Sequence, residues 1–216
     1  MASKTEVKIQ IPAPNIQIMK VKINGLTPLI YHKWDEKAIK MIEDKQQKKA
    51  TKAREVRDPE AETVNSVYYD ASGYVSLPAR NVKQAIVGSA RFLSGVPMTV
   101  LRGSIFVVGD VDGFINVKSK GKLVTRKEIE DNVDTWMRKD MVTVGMGSAD
   151  VRYRAQVDKW TMEFMVKFNA DVLSAEQVLN LLQTAGFSQG LGEWRPEKNG
   201  DNGTFEVDTT SEATRA

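Results

Sequence analysis

Apolar and polar residues alternate along Ile16-Gln-Ile-Met-Lys-Val-Lys-Ile23, the period that lays one face of a strand against a core, and Gly25 and Pro28 punctuate the chain beyond it. This predicts the first core strand. From Trp34 to about Arg57 the pattern changes to Lys, Glu, Gln and Ala with a weak apolar stripe of Ala38, Ile39, Met41 and Ile42, which predicts a partly exposed helix fraying toward Asp58-Pro59. Tyr74, Val75 and Leu77 predict a short strand. Ser76 and Pro78 then open, and Gly95 closes, a helix whose Val82, Ile86, Ala90 and Leu93 share one face.

Further short strands are predicted at Ser104 to Val108, Gly113 to Lys118 and Met141 to Val144, with Asp112-Gly113 as a hairpin turn between the first two. Tyr153 to Phe168 contains a long strand-like stretch in which Trp160, Met162, Phe164, Val166 and Phe168 alternate with smaller or polar residues, so half of it is expected to face a core. Ser174 and Gln177 form a capping box for a helix with Val178, Leu181, Leu182 and Ala185 on its buried face and Gly186 as its stop. A glycine-rich segment from Gly186 to Gly203 leads to a last strand at Thr204 to Val207, and the polar tail after Asp208 is expected to be disordered. Strand, helix, hairpin, helix and final strand in that order predict an α+β fold: a modified ferredoxin-like (RRM-like) antiparallel sheet with helices on one face and inserted strands.

Length and composition narrow this further. The 216 residues suit one main domain, residues 1–208, with insertions at about 34–72 and 96–150 and a tail at 209–216. With 41% hydrophobic and 27% charged residues the chain can build a sizeable core. It has no cysteine, which removes disulfides, thiolate metal sites and cysteine nucleophiles. Met1 to Gln10 lacks the apolar stretch of a signal peptide, and no window approaches the roughly 20 apolar residues of a membrane span, so the expected location is cytoplasmic with no membrane partner. The net charge of +3 is mild, but residues 199–216 hold four acids and one base, and the body without them carries +6.

Three groups of residues could hold a polyanion. In Gly186 to Gly203, Gly190 and Gly192 let a backbone approach a ligand closely, Arg195 and Lys198 add charge, and Trp194 offers a stacking face; the competing reading is a flexible connection. Arg80, Lys83 and Arg91 can line one face of the helix after Pro78, against which stands an ordinary solvated surface. Arg152 and Arg154, one residue apart on a strand, point to the same side and could present paired guanidinium groups, or keep an edge strand soluble. Lys118, Lys120, Lys122, Arg126 and Lys127 read as a solvated loop.

A strand ending in Leu77-Pro78, followed by a helix with Asn81-Val-Lys-Gln-Ala-Ile-Val-Gly-Ser-Ala-Arg91, resembles the segment of RAMP (repeat-associated mysterious protein) superfamily proteins that docks guide RNA in CRISPR backbone subunits. The C-terminal helix with the glycine-rich segment after it is similar to that superfamily's glycine-rich loop. With the first strand these elements span about two-thirds of the chain. The resemblance implies a modified ferredoxin-like fold, RNA bound across sheet and loop, and side-by-side assembly along the strand, either as a CRISPR subunit or as a stand-alone relative from a mobile element.

Enzymatic chemistry finds few candidates. His32 is the only histidine, and some RAMP-type endonucleases use a histidine near this position while some backbone subunits use an aspartate, so His32 and Asp35 are the residues to test for cleavage. The competing reading is a histidine packed or solvated beside Trp34. Asp110-Val-Asp112-Gly113 lacks the later ligands of a calcium loop and reads as a turn. Neither cofactor nor metal is expected. The sequence therefore points to a protein that binds single-stranded nucleic acid, RNA or DNA with RNA favoured, with itself or related subunits as further partners. The alternatives are a metal-independent RNA endonuclease using His32 and Asp35, and an oligomeric structural or interaction protein that binds no nucleic acid.

Overall fold

A computed structural model of the chain describes residues 12–48, 56–110, 112–145, 147–208 and 212–214. In chain order its elements are β1 (Ile16–Gly25), β2 (Leu29–Ile30), α1 (Glu36–Gln46), α2 (Pro59–Asn65), β3 (Tyr68–Tyr69), β4 (Val75–Pro78) and α3 (Ala79–Ser89). Then come α4 (Met98–Ser104), β5 (Ile105–Val108), β6 (Phe114–Ser119), β7 (Lys122–Leu123), α5 (Arg126–Asp131), α6 (Val133–Trp136), β8 (Met137–Val144) and β9 (Ser148–Val157). The chain continues with β10 (Trp160–Asn169), α7 (Ala175–Ser188), β11 (Phe205–Val207) and β12 (Glu212–Thr214). The result is an α+β fold whose main sheet is antiparallel throughout, with a smaller sheet of β2, β9 and β8 beside it.

The alternation read in the sequence decides which face is buried. Met19, Val21 and Ile23 of β1 and Trp160, Met162, Phe164, Val166 and Phe168 of β10 point to the same side, where Val82 and Ile86 of α3 and Val178, Leu181 and Leu182 of α7 join them in one core. Burying each of these large side chains contributes roughly 1.5–3 kcal/mol. The other side of the two strands carries Lys20, Lys22, Glu163, Met165 and Lys167. There Glu163 ties Lys20 (3.2 Å) of β1 to Lys118 (2.7 Å) of β6.

β1 is central, with β10 on one side and β11 and β12 on the other. The far edge of β10 carries β5 along Met165 to Phe168 and β6 along Trp160 to Met162. Both run antiparallel to β10, so β5 and β6 follow one another along a single edge. The expected Asp112-Gly113 turn forms, with both residues at positive φ and the Asp110 N–H donating to Phe114 O (2.7 Å), but it does not pair β5 with β6: the chain between Val108 and Val117 is longer than that between their partners Met165 and Met162, and the surplus bulges out as this turn.

Other expectations change for local reasons. The stretch expected to fray at Asp58-Pro59 instead starts a helix, because the Asp58 carboxylate accepts the Ala61 N–H (3.0 Å) and Pro59 occupies the first turn of α2. Part of the predicted helix, residues 49–55, lies outside the described residues. The long stretch expected within Tyr153 to Phe168 is β10, and the burial phase shifts across Asp158-Lys159, leaving Ala155 and Val157 on β9 in the small sheet and Trp160 onward in the main one. The basic loop is a β6–β7 hairpin closed by Lys120 and Gly121, both at positive φ, with Arg126 and Lys127 on α5. At the tail, Glu212–Thr214 pair with Lys20 to Ile18 as β12 where disorder was expected; residues 209–211 and 215–216 lie outside the described residues.

Gly186 was expected to stop the last helix, yet α7 continues to Ser188. Its glycine has a packing reason, since a Cβ there would run into the backbone oxygen of Phe205 on β11. Trp160 locks the same end of the sheet: its indole N–H donates to the Thr27 carbonyl (2.8 Å) and its ring meets Phe205 edge-on. Gly186→Ala therefore pushes α7 off β11 and is expected to cost about 1–3 kcal/mol, read as a lower urea midpoint at unchanged m-value. Unchanged stability would contradict this packing.

Candidate nucleic-acid interface

A cleft of about 580 Å³ opens between α3, the chain following β2 and the segment after α7. Leu77-Pro78 delivers α3 directly from β4, and the buried Ala79, Val82 and Ile86 fix its rotation. That rotation turns Arg80, Asn81, Gln84, Gly88 and Arg91, which recur at helical spacing, into one wall. Gln189 to Glu193 with Arg195 form the opposite wall, and buried Ile30, Tyr31 and Leu77 form the floor. Burial pushes the Tyr31 phenol well above its usual range, so it stays neutral.

The opposite wall is set by backbone contacts. Gly190, Gly192 and Gly203 all adopt positive φ. A Cβ at Gly192 would strike the Ile30 carbonyl, and one at Gly203 the Leu191 carbonyl. The Leu191 N–H donates to Gly203 O (2.9 Å), the Glu193 N–H to Ile30 O (2.9 Å) and the Gly203 N–H to Pro28 O (2.8 Å). This closes the segment on itself and on β2. The sequence suggested glycines that free N–H groups for a ligand; here they mainly allow the chain to approach itself, and the Gly190 N–H is spent on Ala185 O (2.9 Å).

Charge in the cleft is unevenly committed. Arg80, Arg91 and Arg102 of α4 are exposed at its rim and make no ion pair among the described residues. Lys83 also lines it, donating to the Arg102 carbonyl (2.9 Å) with its ammonium 3.9 Å from the Phe106 ring centroid. Arg195 is bound internally, through Nε and Nη2 to Glu197 (3.0 and 2.6 Å) and through Nη1 to Gly192 O (2.8 Å). It clamps the segment more than it offers a free charge. The α3 N-terminus has no side-chain cap and no acid in its first turn, which leaves its dipole uncompensated beside Arg80.

His32 lies at the cleft and donates from Nδ1 to Glu193 (3.0 Å). That hydrogen bond, followed by the charges of His32, Arg154 and Arg195, holds the Glu193 carboxyl below the usual carboxylate range. Asp35 precedes α1 and does not line the cleft. Arg154 is buried, its guanidinium 3.5 Å from Asp140 and 3.7 Å from Glu193, and Arg152 pairs with Asp150 (3.0 Å), so the two do not present a joint guanidinium face. Trp194 and Lys198 lie outside the lining, and the buried Trp194 indole N–H has no hydrogen-bond partner among the described residues.

Thus the fold gathers His32, Arg80, Lys83, Arg91, Gly190, Gly192 and Arg195 into one cleft and leaves Asp35, Arg152, Arg154, Trp194 and Lys198 outside it. Sequence reasoning missed Asn81, Gln84, Gln189 and Arg102. The first two stand on the helix already singled out, at the same spacing as Arg80 and Arg91. Arg102 sits on a helix that was not predicted, and nothing in its neighbourhood marks it. Among the described residues no cluster of three or more His, Asp or Glu side chains could hold a metal ion, and no helix is long and apolar enough to cross a membrane.

No protein-family model matches the sequence, and no curated protein does. Among solved structures the chain is similar to one in the cryo-EM structure of the Type III-B Cmr-beta bound to cognate target RNA, with a TM-score of 0.55 at 12% identity. The match covers 93% of this chain and 61% of that one, so the present chain spans about three-fifths of its neighbour's length. At that identity the likeness concerns the fold alone.

Proposed function

We propose that this chain is a single-stranded RNA-binding protein and that the cleft between α3 and the segment after α7 is where the strand lies. The observation that carries the reading is the trio Arg80, Arg91 and Arg102, exposed around one cleft without acidic partners among the described residues. Unpaired guanidinium groups that converge on a cavity match phosphate, which accepts hydrogen bonds and carries the opposite charge. The structural neighbour comes from an assembly bound to cognate target RNA, which supports RNA over DNA and supports related subunits or further copies of this chain as partners.

The architecture is consistent with this reading. Across the main sheet the order β11, β1, β10, β5, with α3 between β1 and β5 and α7 between β10 and β11, is the order a ferredoxin-like βαββαβ unit requires. On that basis α1 to β4 and α4, with β6 to β9, are insertions into a single domain. Cleavage is the second reading, because His32 borders the cleft; Asp35 lies outside it, and His32 would act with Glu193 as its orienting partner.

Two outcomes test these readings. Arg80→Ala and Arg91→Ala are each expected to weaken binding of labelled single-stranded RNA about tenfold and to lower the slope of log affinity on log salt by about one, while Lys198→Ala changes little. Anisotropy titrations over a salt series read both, and equal affinity in all variants would overturn the assignment. RNA incubated with the wild-type protein in EDTA is expected to stay intact on a denaturing gel. A product that disappears in His32→Ala would replace the binding-only reading with the endonuclease.

A further inference from the structure

The polar groups of the cleft are of two kinds, and they are segregated. Arginines occupy its rim, whereas three amides, Asn81, Gln84 and Gln189, line it without a hydrogen-bond partner among the described residues. Gln189 is the most constrained of them: it is 3% exposed and seated directly against α3. Gly88 makes that seat, since a Cβ there would overlap the Gln189 amide oxygen. The Gln189 amide borders the cleft, and the cleft is the space from which hydrogen-bond partners can reach it.

We infer that the cleft takes one unstacked nucleotide of the strand and reads its base through Asn81, Gln84 and Gln189. This rests on the RNA-binding reading and deepens it. Phosphate only accepts hydrogen bonds, so it suits the rim arginines but engages only the N–H donors of the amides and leaves their carbonyl oxygens unused. A nucleobase edge carries donors and acceptors side by side, the pattern that a planar amide complements. In single-stranded RNA those edges are free, because an unpaired base can leave the stack and enter a pocket. A volume of about 580 Å³ falls in the range of pockets that enclose a small molecule, and half-buried Tyr68 and Met98 add ring and apolar surface to it.

Such a site discriminates among bases, whereas arginines on phosphates alone do not. The test is anisotropy titration of wild-type protein with octamers of rA, rC and rU at one salt concentration, then over a salt series. One base is expected to bind about tenfold tighter than the others. Gln84→Ala, at an exposed position that does not hold the fold, and Gln189→Leu are each expected to shrink that preference severalfold, with the salt slope kept. The matching nucleoside monophosphate is expected to compete with the same base preference but far more weakly than its octamer. Octamers that all bind within twofold with a steep salt slope would overturn base reading and leave RNA binding standing. A preference that survives both substitutions would likewise overturn it, and a monophosphate that binds as tightly as its octamer would overturn a strand as the occupant. Failure of every octamer to bind would overturn the RNA reading itself.

Discussion

The close approach of backbone to backbone between β2 and the segment after α7 is the constraint on which the cleft depends. Side chains cannot fit between Gly192 and Ile30 or between Gly203 and Leu191, and the hydrogen bonds from Glu193 to Ile30 and from Gly203 to Pro28 exist because nothing intervenes. One cleft wall is thereby fixed by main-chain geometry. The other is fixed by the rotation of α3, which its buried residues set. A site built from two rigid walls holds its ligand groups in place before binding, so less ordering is required when a strand arrives.

Charge follows the same division. Where the fold needs arginine for itself, it surrounds the guanidinium with acids or carbonyls: Arg154 lies against Asp140 and Glu193, Arg57 against Glu62 and Asp150, Arg195 against Glu197 and the Gly192 carbonyl. Arg80, Arg91 and Arg102 receive no such treatment. Lysines on the open face of the sheet are partly neutralised, Lys20 and Lys118 by Glu163 and Lys22 by Asp208. The arginines that have no ion pair among the described residues thus gather at the cleft, although the chain as a whole is only mildly basic.

Much of this was legible in the sequence wherever periodicity and capping agree. The alternation in β1 named its buried face, and the Ser174–Gln177 box opened α7 as expected. Signals with two meanings failed. Asp58-Pro59 serves equally as a stop or a start, Asp112-Gly113 serves a bulge as well as a hairpin, and the break between β9 and β10 is a change of burial phase with no glycine or proline to mark it. At the site, counting charges found Arg80 and Arg91 but also Arg152 and Arg154, because burial by a distant acid such as Glu193 depends on a contact that no local pattern encodes. The amides escaped notice because they are informative only beside a cavity.

The central claim is that RNA lies in this cleft, and photocrosslinking tests it most directly. RNA carrying 4-thiouridine is bound to the full chain, irradiated and digested, and the crosslinked peptides are identified by mass spectrometry. The account predicts crosslinks within residues 77–91, 98–102 and 189–195. Crosslinks confined to the open face of the sheet, around Lys20, Met165 and Lys167, would contradict it.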